Sequence, residues 1–240
     1  LKRSVIVFSI LVSCNYGFAQ QISDSAFRQE AINNIVQLYY SSIGLQARLY
    51  NGPLYTPYDR AFTEGHQYLG MDTFNLGAVA YDGLEYHNIP MKYDIIRDEL
   101  IILHHNGVYP VNLIKQKIDS FSFSGHSFLV IRPDSTNSAL PETGFYENLY
   151  YGNIRLLAKR SKFIQETNAA TIEIKVYSRV QYYIVKAGKY HLIRNKNSLM
   201  DVLNDKRNAI QAYIKRNHLR LRKDFENDMI SIVSYYDQLK

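Results

Sequence analysis

Tryptophan is absent from this sequence, and cysteine occurs once, as Cys14. A chain with a single thiol cannot close a disulfide on itself or assemble a thiolate metal site, so its core must hold the fold without such staples. Long apolar runs are also missing. The stretch from Val5 to Val12 is far shorter than the roughly 20 residues a membrane-spanning helix needs, and no later segment approaches that length. This excludes a multi-pass helical membrane protein. The seven histidines are scattered, with no His-Glu-x-x-His helix. His104 and His105 are adjacent on an expected strand, where neighbouring side chains point to opposite faces and cannot share a metal. Gly125-His126-Ser127-Phe128 lacks the Gly-x-Ser-x-Gly elbow of serine hydrolases, and phosphate-loop and dinucleotide fingerprints are missing too. No catalytic residue, metal or cofactor is therefore expected.

What the sequence does contain begins with Lys2 and Arg3, followed by the apolar stretch and by small and polar residues from Ser13, the order of a secretory leader. Two processing routes compete. Gly17-Phe18-Ala19 places small residues three and one before a cut, giving a leader of residues 1–19 and a mature chain starting at Gln20. Leu11-Val12-Ser13-Cys14 instead resembles a lipobox, in which Cys14 becomes lipidated. The first route is the expectation. It leaves about 220 residues, enough to bury a core unaided.

Charge is distributed unevenly. Residues 20–150 carry 8 Lys+Arg against 14 Asp+Glu, a net −6, whereas residues 151–240 carry 18 against 8, a net +10. The densest cluster is Lys215, Arg216, Arg220, Arg222 and Lys223, interleaved with Leu219 and Leu221. It can serve as a patch for an anionic surface or as a solvated edge between helices. Anionic lipid, lipopolysaccharide, a glycan or an envelope protein are the partners considered, and export makes nucleic acid the least favoured.

Periodicity gives an α+β class: a curved antiparallel β-meander with an N-terminal helix and short C-terminal helices. Residues 20–69 hold the helix, with Ile32, Ile35, Val36, Tyr39, Tyr40 and Ile43 at helical spacing, and a connection broken by Gly52, Pro53 and Pro57. Residues 70–195 hold seven to nine strands. Turns are expected at Asp82-Gly83, Asn106-Gly107 and Gly152-Asn153, an irregularity at Gly125 and a bend at Ser178. Pro133–Pro141 reads as a mobile loop. Residues 196–240 form the helical segment, with helices starting at Ser198, Asp205 and Asp224, the last presenting Phe225, Met229, Ile232, Val233 and Tyr236 to the sheet. Asp94, Asp98 and Glu99 flank a turn and read as a solvated hairpin end. The tyrosines gathered near turns, Tyr50, Tyr55, Tyr58, Tyr81, Tyr86, Tyr93, Tyr146, Tyr150 and Tyr151, suit either a sugar- or peptide-binding platform or a self-covering rim.

Leu49-Tyr50-Asn51-Gly52, Val79-Ala80-Tyr81-Asp82-Gly83, Met91-Lys92-Tyr93-Asp94, Gly144-Phe145-Tyr146-Glu147, Leu157-Ala158-Lys159-Arg160 and Tyr235-Tyr236-Asp237-Gln238-Leu239 together resemble a family of exported proteins frequent in Bacteroidota. The resemblance implies export and a diderm envelope, in the periplasm or at the outer membrane, and carries over no activity, ligand or site residue. A meander with helices laid against it is also similar to the half-barrel of periplasmic lipoprotein carriers, by architecture alone. The expected role is a non-enzymatic envelope binding or accessory protein. The alternatives are a hydrolase acting on envelope polymers and a structural subunit of an envelope complex.

Overall fold

A computed structural model describes residues 24–43, 48–132, 142–168 and 172–239, so the expected leader, Cys14 and the expected Pro133–Pro141 loop lie outside the described residues. The chain divides into two compact units, Leu1–Ser42 and Ile43–Lys240. Helix α1 (Asp24–Ile43) falls almost entirely in the first. Ile32 and Ile35, expected on its packed stripe, are exposed.

The second unit is built on ten strands. They are β1 (Asn75–Tyr81), β2 (Leu84–Asp94), β3 (Glu99–Leu103), β4 (Pro110–Asn112), β5 (Ile118–Phe123), β6 (His126–Ile131), β7 (Gly144–Tyr151), β8 (Arg155–Asn168), β9 (Ile172–Lys186) and β10 (Lys189–Ile193). All are antiparallel to their neighbours in one sheet, ordered β10-β9-β8-β7-β6-β5-β1-β2-β3-β4. The count exceeds the expected seven to nine. Gly125 is a hairpin turn rather than an irregularity, since Ser124 and Gly125 both have positive φ between β5 and β6. Ala187 and Gly188 do the same between β9 and β10. Ser178 carries no bulge: β8 and β9 pair without a register shift from Arg155↔Val185 to Asn168↔Ile172.

The sheet is open and strongly curved, and its connections show why. Residues 113–117 lead from β4 to β5, across the ends of β3, β2 and β1. Four inter-strand steps take about 19 Å on a flat sheet, close to the full reach of such a short connection. The connection nevertheless contains a 3-10 turn at Lys115–Lys117, so the sheet must curl to bring β4 and β5 together. Aromatic rings fill the resulting concavity. Tyr93 of β2 and Phe145 of β7 stand four strand positions apart, yet their ring centroids are 5.5 Å apart, with Phe121 packed against both rings and Phe128 against Tyr93 and Phe121.

A strap formed by residues 53–69 runs along the open ends of this sheet. Tyr55 N–H donates to the Pro110 carbonyl of β4, Thr63 N–H to Ile174 of β9, and Leu69 N–H to Tyr93 of β2, at 2.9, 2.8 and 2.9 Å. Gly52 precedes it because backbone passes too close for a side chain: a Cβ there would lie 1.8 Å from the Asn112 carbonyl oxygen.

The helices cover the β7–β10 end. These are α2 (Lys196–Val202), α3 (Arg207–Arg216) and α4 (Phe225–Gln238). Asn195 caps α2 in a capping box with Ser198, so Ser198 is the third helical residue rather than the start. Asp205 lies in a 3-10 turn before α3, while Asp224 does occupy the N-cap of α4. Met229, Ile232, Val233 and Tyr236 of α4 are buried against Leu156, Ile184 and Ile193 of the sheet and Ile154 just before β8, as the helical spacing implied.

Candidate functional site

The cationic cluster occupies the end of α3 and the connection to α4. Ile210 and Ile214 bury one face of α3, which leaves Lys215 and Arg216 on its last turn, where positive charge complements the helix dipole. Tyr213 stacks on Tyr235 of α4 at 4.1 Å, fixing the two helices together, and the Arg216 guanidinium lies 5.9 Å from the Tyr213 ring. Beyond the helix, Leu219 and Leu221 turn inward onto the helix–sheet core. Leu221 takes a left-handed φ of 52° to do so, and His218 one of 54°. The Asp228 carboxylate accepts the backbone N–H groups of Arg220 and Leu221 at 3.2 and 2.7 Å. With the leucines anchored and the backbone tied to α4, the intervening cations are directed outward.

Lys215, Arg216, Arg220, Arg222 and Lys223 are all exposed, and none joins an ion pair among the described residues. The structure does not group them evenly. Lys215 and Arg220 line an open depression of about 460 Å³ together with Lys196 and His218, around Ile214 and Leu219. Arg220 and Lys223 line a neighbouring one of about 390 Å³ with His218, Asp224 and Asp228. Arg216 and Arg222 line neither. Lys196 went unrecognised in the sequence because it belongs to the start of α2, and nothing in its spacing relates it to residue 215.

The acidic group at the β2–β3 turn is not a solvated hairpin end. Asp94 is fully buried. Its carboxylate accepts the hydroxyls of Tyr55 and Tyr58, both at 3.0 Å, and the N–H groups of Ile96 and Arg97 at 2.9 and 3.1 Å. Asp98 accepts the Tyr93 hydroxyl and pairs with Lys115 at 2.5 Å and Lys159 at 2.9 Å. Burial pushes the Asp98 carboxyl up, but the two ammonium groups and the hydroxyl outweigh it and hold the group below its ordinary value. Burial pulls the Lys159 amine down, and Asp98, shared with Lys115, only partly restores it. Glu99 accepts from the Asn112 side chain at 3.0 Å. Each carboxylate is thus engaged in holding elements together.

A second polar chain links sheet and helix: His126 to Glu147 at 2.5 Å, Glu147 to Arg160, and Arg160 to both oxygens of Glu226 at 2.8 and 3.0 Å. Tyr182 also donates to Glu226, and burial followed by that carboxylate pushes its hydroxyl up to about 12. His126 faces Glu147, whereas Ser127 lines a depression on the opposite face with Ser120 and Ser122, so the two cannot act as base and nucleophile.

His104 and His105 lie just beyond β3 rather than on it, and both approach the Tyr50 ring, at 5.0 and 6.3 Å. The expectation that they point to opposite faces is therefore wrong. Among the described residues no three His, Cys, Asp or Glu side chains come together as metal ligands. Of the turn-flanking tyrosines, Tyr55, Tyr81, Tyr86, Tyr93 and Tyr146 are buried, while Tyr151 is exposed. No helix among the described residues is long and apolar enough to cross a membrane. No protein family, curated protein or solved structure matches this chain.

Proposed function

We propose that this chain is an exported, non-enzymatic binding or accessory protein of a diderm bacterial envelope. In this reading it meets an anionic lipid or lipopolysaccharide surface through Lys215, Arg216, Arg220, Arg222 and Lys223. The observation that carries the reading is which cations the fold leaves unpaired. Pairing between the acidic and basic halves is made by Lys159 with Asp98, Arg160 with Glu147, Lys175 with Glu64 and Arg60 with Glu166. The cluster at 215–223 takes no part in that neutralisation among the described residues. Near an anionic membrane each exposed basic group adds on the order of 1 kcal/mol, an attraction that fades over about 8 Å at physiological ionic strength. Lipid is met at the surface in this reading, because the concavity that a carrier would offer to an acyl chain is filled by Tyr93, Phe121, Phe128 and Phe145.

Charge reversal at Arg220→Glu with Arg222→Glu tests this. Binding to anionic vesicles should fall by an order of magnitude or more, weaken further with added salt, and leave the melting temperature unchanged. A lowered melting temperature with no vesicle binding to lose would instead make the cluster an internal structural element. Export itself, and the N-terminal helix that follows the leader, belong to the same proposal. Intact mass of the mature protein should correspond to a start at Gln20; diacylglycerol on Cys14 would replace that route with a lipid anchor.

A further inference from the structure

Resting on that membrane reading, we infer that the depression between α2, α3 and the α3–α4 connection is a headgroup site selective for a lipid phosphomonoester over a phosphodiester. Four nitrogen-bearing side chains, three of them cations, reach it from three parts of the chain: Lys196 from the start of α2, Lys215 from the last turn of α3, and His218 and Arg220 from the connection. Its described lining carries no carboxylate. The neighbouring depression differs on this point, since Asp224 and Asp228 stand in it beside Arg220 and Lys223. An anion is therefore favoured in the first and opposed in the second, although they share His218 and Arg220.

The depression is open, and what separates it from a flat patch is that its cations come together from three parts of the chain. A patch responds to the charge density of the whole surface, whereas converging donors respond to the charge on one group. A phosphomonoester carries between one and two negative charges near neutral pH, against one on a diester, and it presents three acceptor oxygens. Arg220 can fork across two oxygens while the lysines supply point charges to the third. The backbone of the connection is also held in place before any ligand arrives, by the buried Leu221 and the Asp228 carboxylate, so binding orders the side chains and little of the backbone. Ile214 and Leu219 between the cations give the occupant an apolar side, which suits a phosphate attached to hydrocarbon better than a free ion.

The test uses the mature full-length protein and two sets of phosphatidylcholine vesicles. One set contains phosphatidic acid and the other phosphatidylglycerol, matched for surface potential. Affinity for the monoester vesicles should be about fivefold higher, the effect of roughly one further unit charge at a membrane surface. Lys196→Gln with Lys215→Gln, or Arg220→Gln alone, should abolish that preference with an unchanged melting temperature. Arg216→Gln with Arg222→Gln, outside the depression, should weaken both bindings equally and keep the preference. Equal affinity for the matched vesicles, or a preference that survives Lys196→Gln with Lys215→Gln, overturns the headgroup site while leaving the membrane reading intact. Failure to bind either vesicle overturns both. Inorganic phosphate at equal phosphate concentration should not displace the protein; displacement would make this a free-phosphate site and overturn the lipid assignment.

Discussion

Asp98→Ala is expected to lower the unfolding free energy by about 3–5 kcal/mol, read as a shift of the urea midpoint, because it leaves Lys115 and Lys159 facing each other without their shared anion. The same side chain accepts from Tyr93 at the edge of the aromatic concavity and lies 3.4 Å from the Phe145 amide, so its loss is felt by β2, β7, β8 and the β4–β5 connection together. A change under about 1 kcal/mol would mean the cluster is solvated and screened, as at an ordinary surface pair. Acid should produce part of this effect in the unmutated protein. The folded carboxyl titrates below its ordinary value of 3.8. Its stabilisation is therefore complete above that value and is lost as pH falls through the lower, folded one. In Asp98→Asn the charge is already gone, so the gap between the two proteins should narrow as the pH drops below about 4.

Phe128→Ala should cost a similar amount, about 3–5 kcal/mol, by opening a cavity at the centre of the curled sheet. Phe128 is almost completely buried and touches Phe121 at 4.8 Å and Tyr93 at 5.2 Å between ring centroids. Phe163→Ala provides the contrast. That ring stacks on Tyr177 across the β8–β9 ribbon at 5.8 Å and lies 5.4 Å from the Arg179 guanidinium, but it is 43% exposed, so the loss of these surface contacts is worth about 1 kcal/mol. A small effect at Phe128 would carry functional weight: a concavity that tolerates the missing ring is loosely packed, and an apolar guest would then have room inside it.

Local periodicity carried the strands and the C-terminal helices well. Met229, Ile232, Val233 and Tyr236 repeat at helical spacing and are buried together, and the alternation through Ile172, Ile174 and Val176 belongs to one uninterrupted strand. Turns with unusual residues were harder. Ser124-Gly125 and Ala187-Gly188 supply positive φ without the Asn or Asp that normally marks such a hairpin, which explains the short strand count. Partners far apart in the chain were not legible at all. Asp94 reads as solvated because it flanks a turn together with Asp98 and Glu99, and the hydroxyls that make its burial tolerable come from Tyr55 and Tyr58, 39 and 36 residues away. The same limit applies to the candidate site. A run of cations between Lys215 and Lys223 is visible in one dimension, but Lys196 joins it only because α2 and α3 both pack on the β7–β10 end of the sheet.

The strap sets an order of events in folding. Thr63 bonds to Ile174 across 111 residues of intervening chain, and Lys162 bonds to the carbonyls of His66 and Tyr68 across 96 and 94. Bringing such distant segments together is slow, because the entropy of closing the loop is lost before the contacts repay it. The β8–β9 ribbon joins strands that follow one another in the chain and can form early; the ends of the strap can engage β4 and β2 before it, through Tyr55 and Leu69, but its middle, at Thr63 and Glu64, has nowhere to dock until that ribbon exists. A chain emerging from its N-terminus would thus carry Thr63 and Glu64 undocked until β9 has followed. Docking of the strap would mark the moment at which the unit becomes resistant to proteolysis.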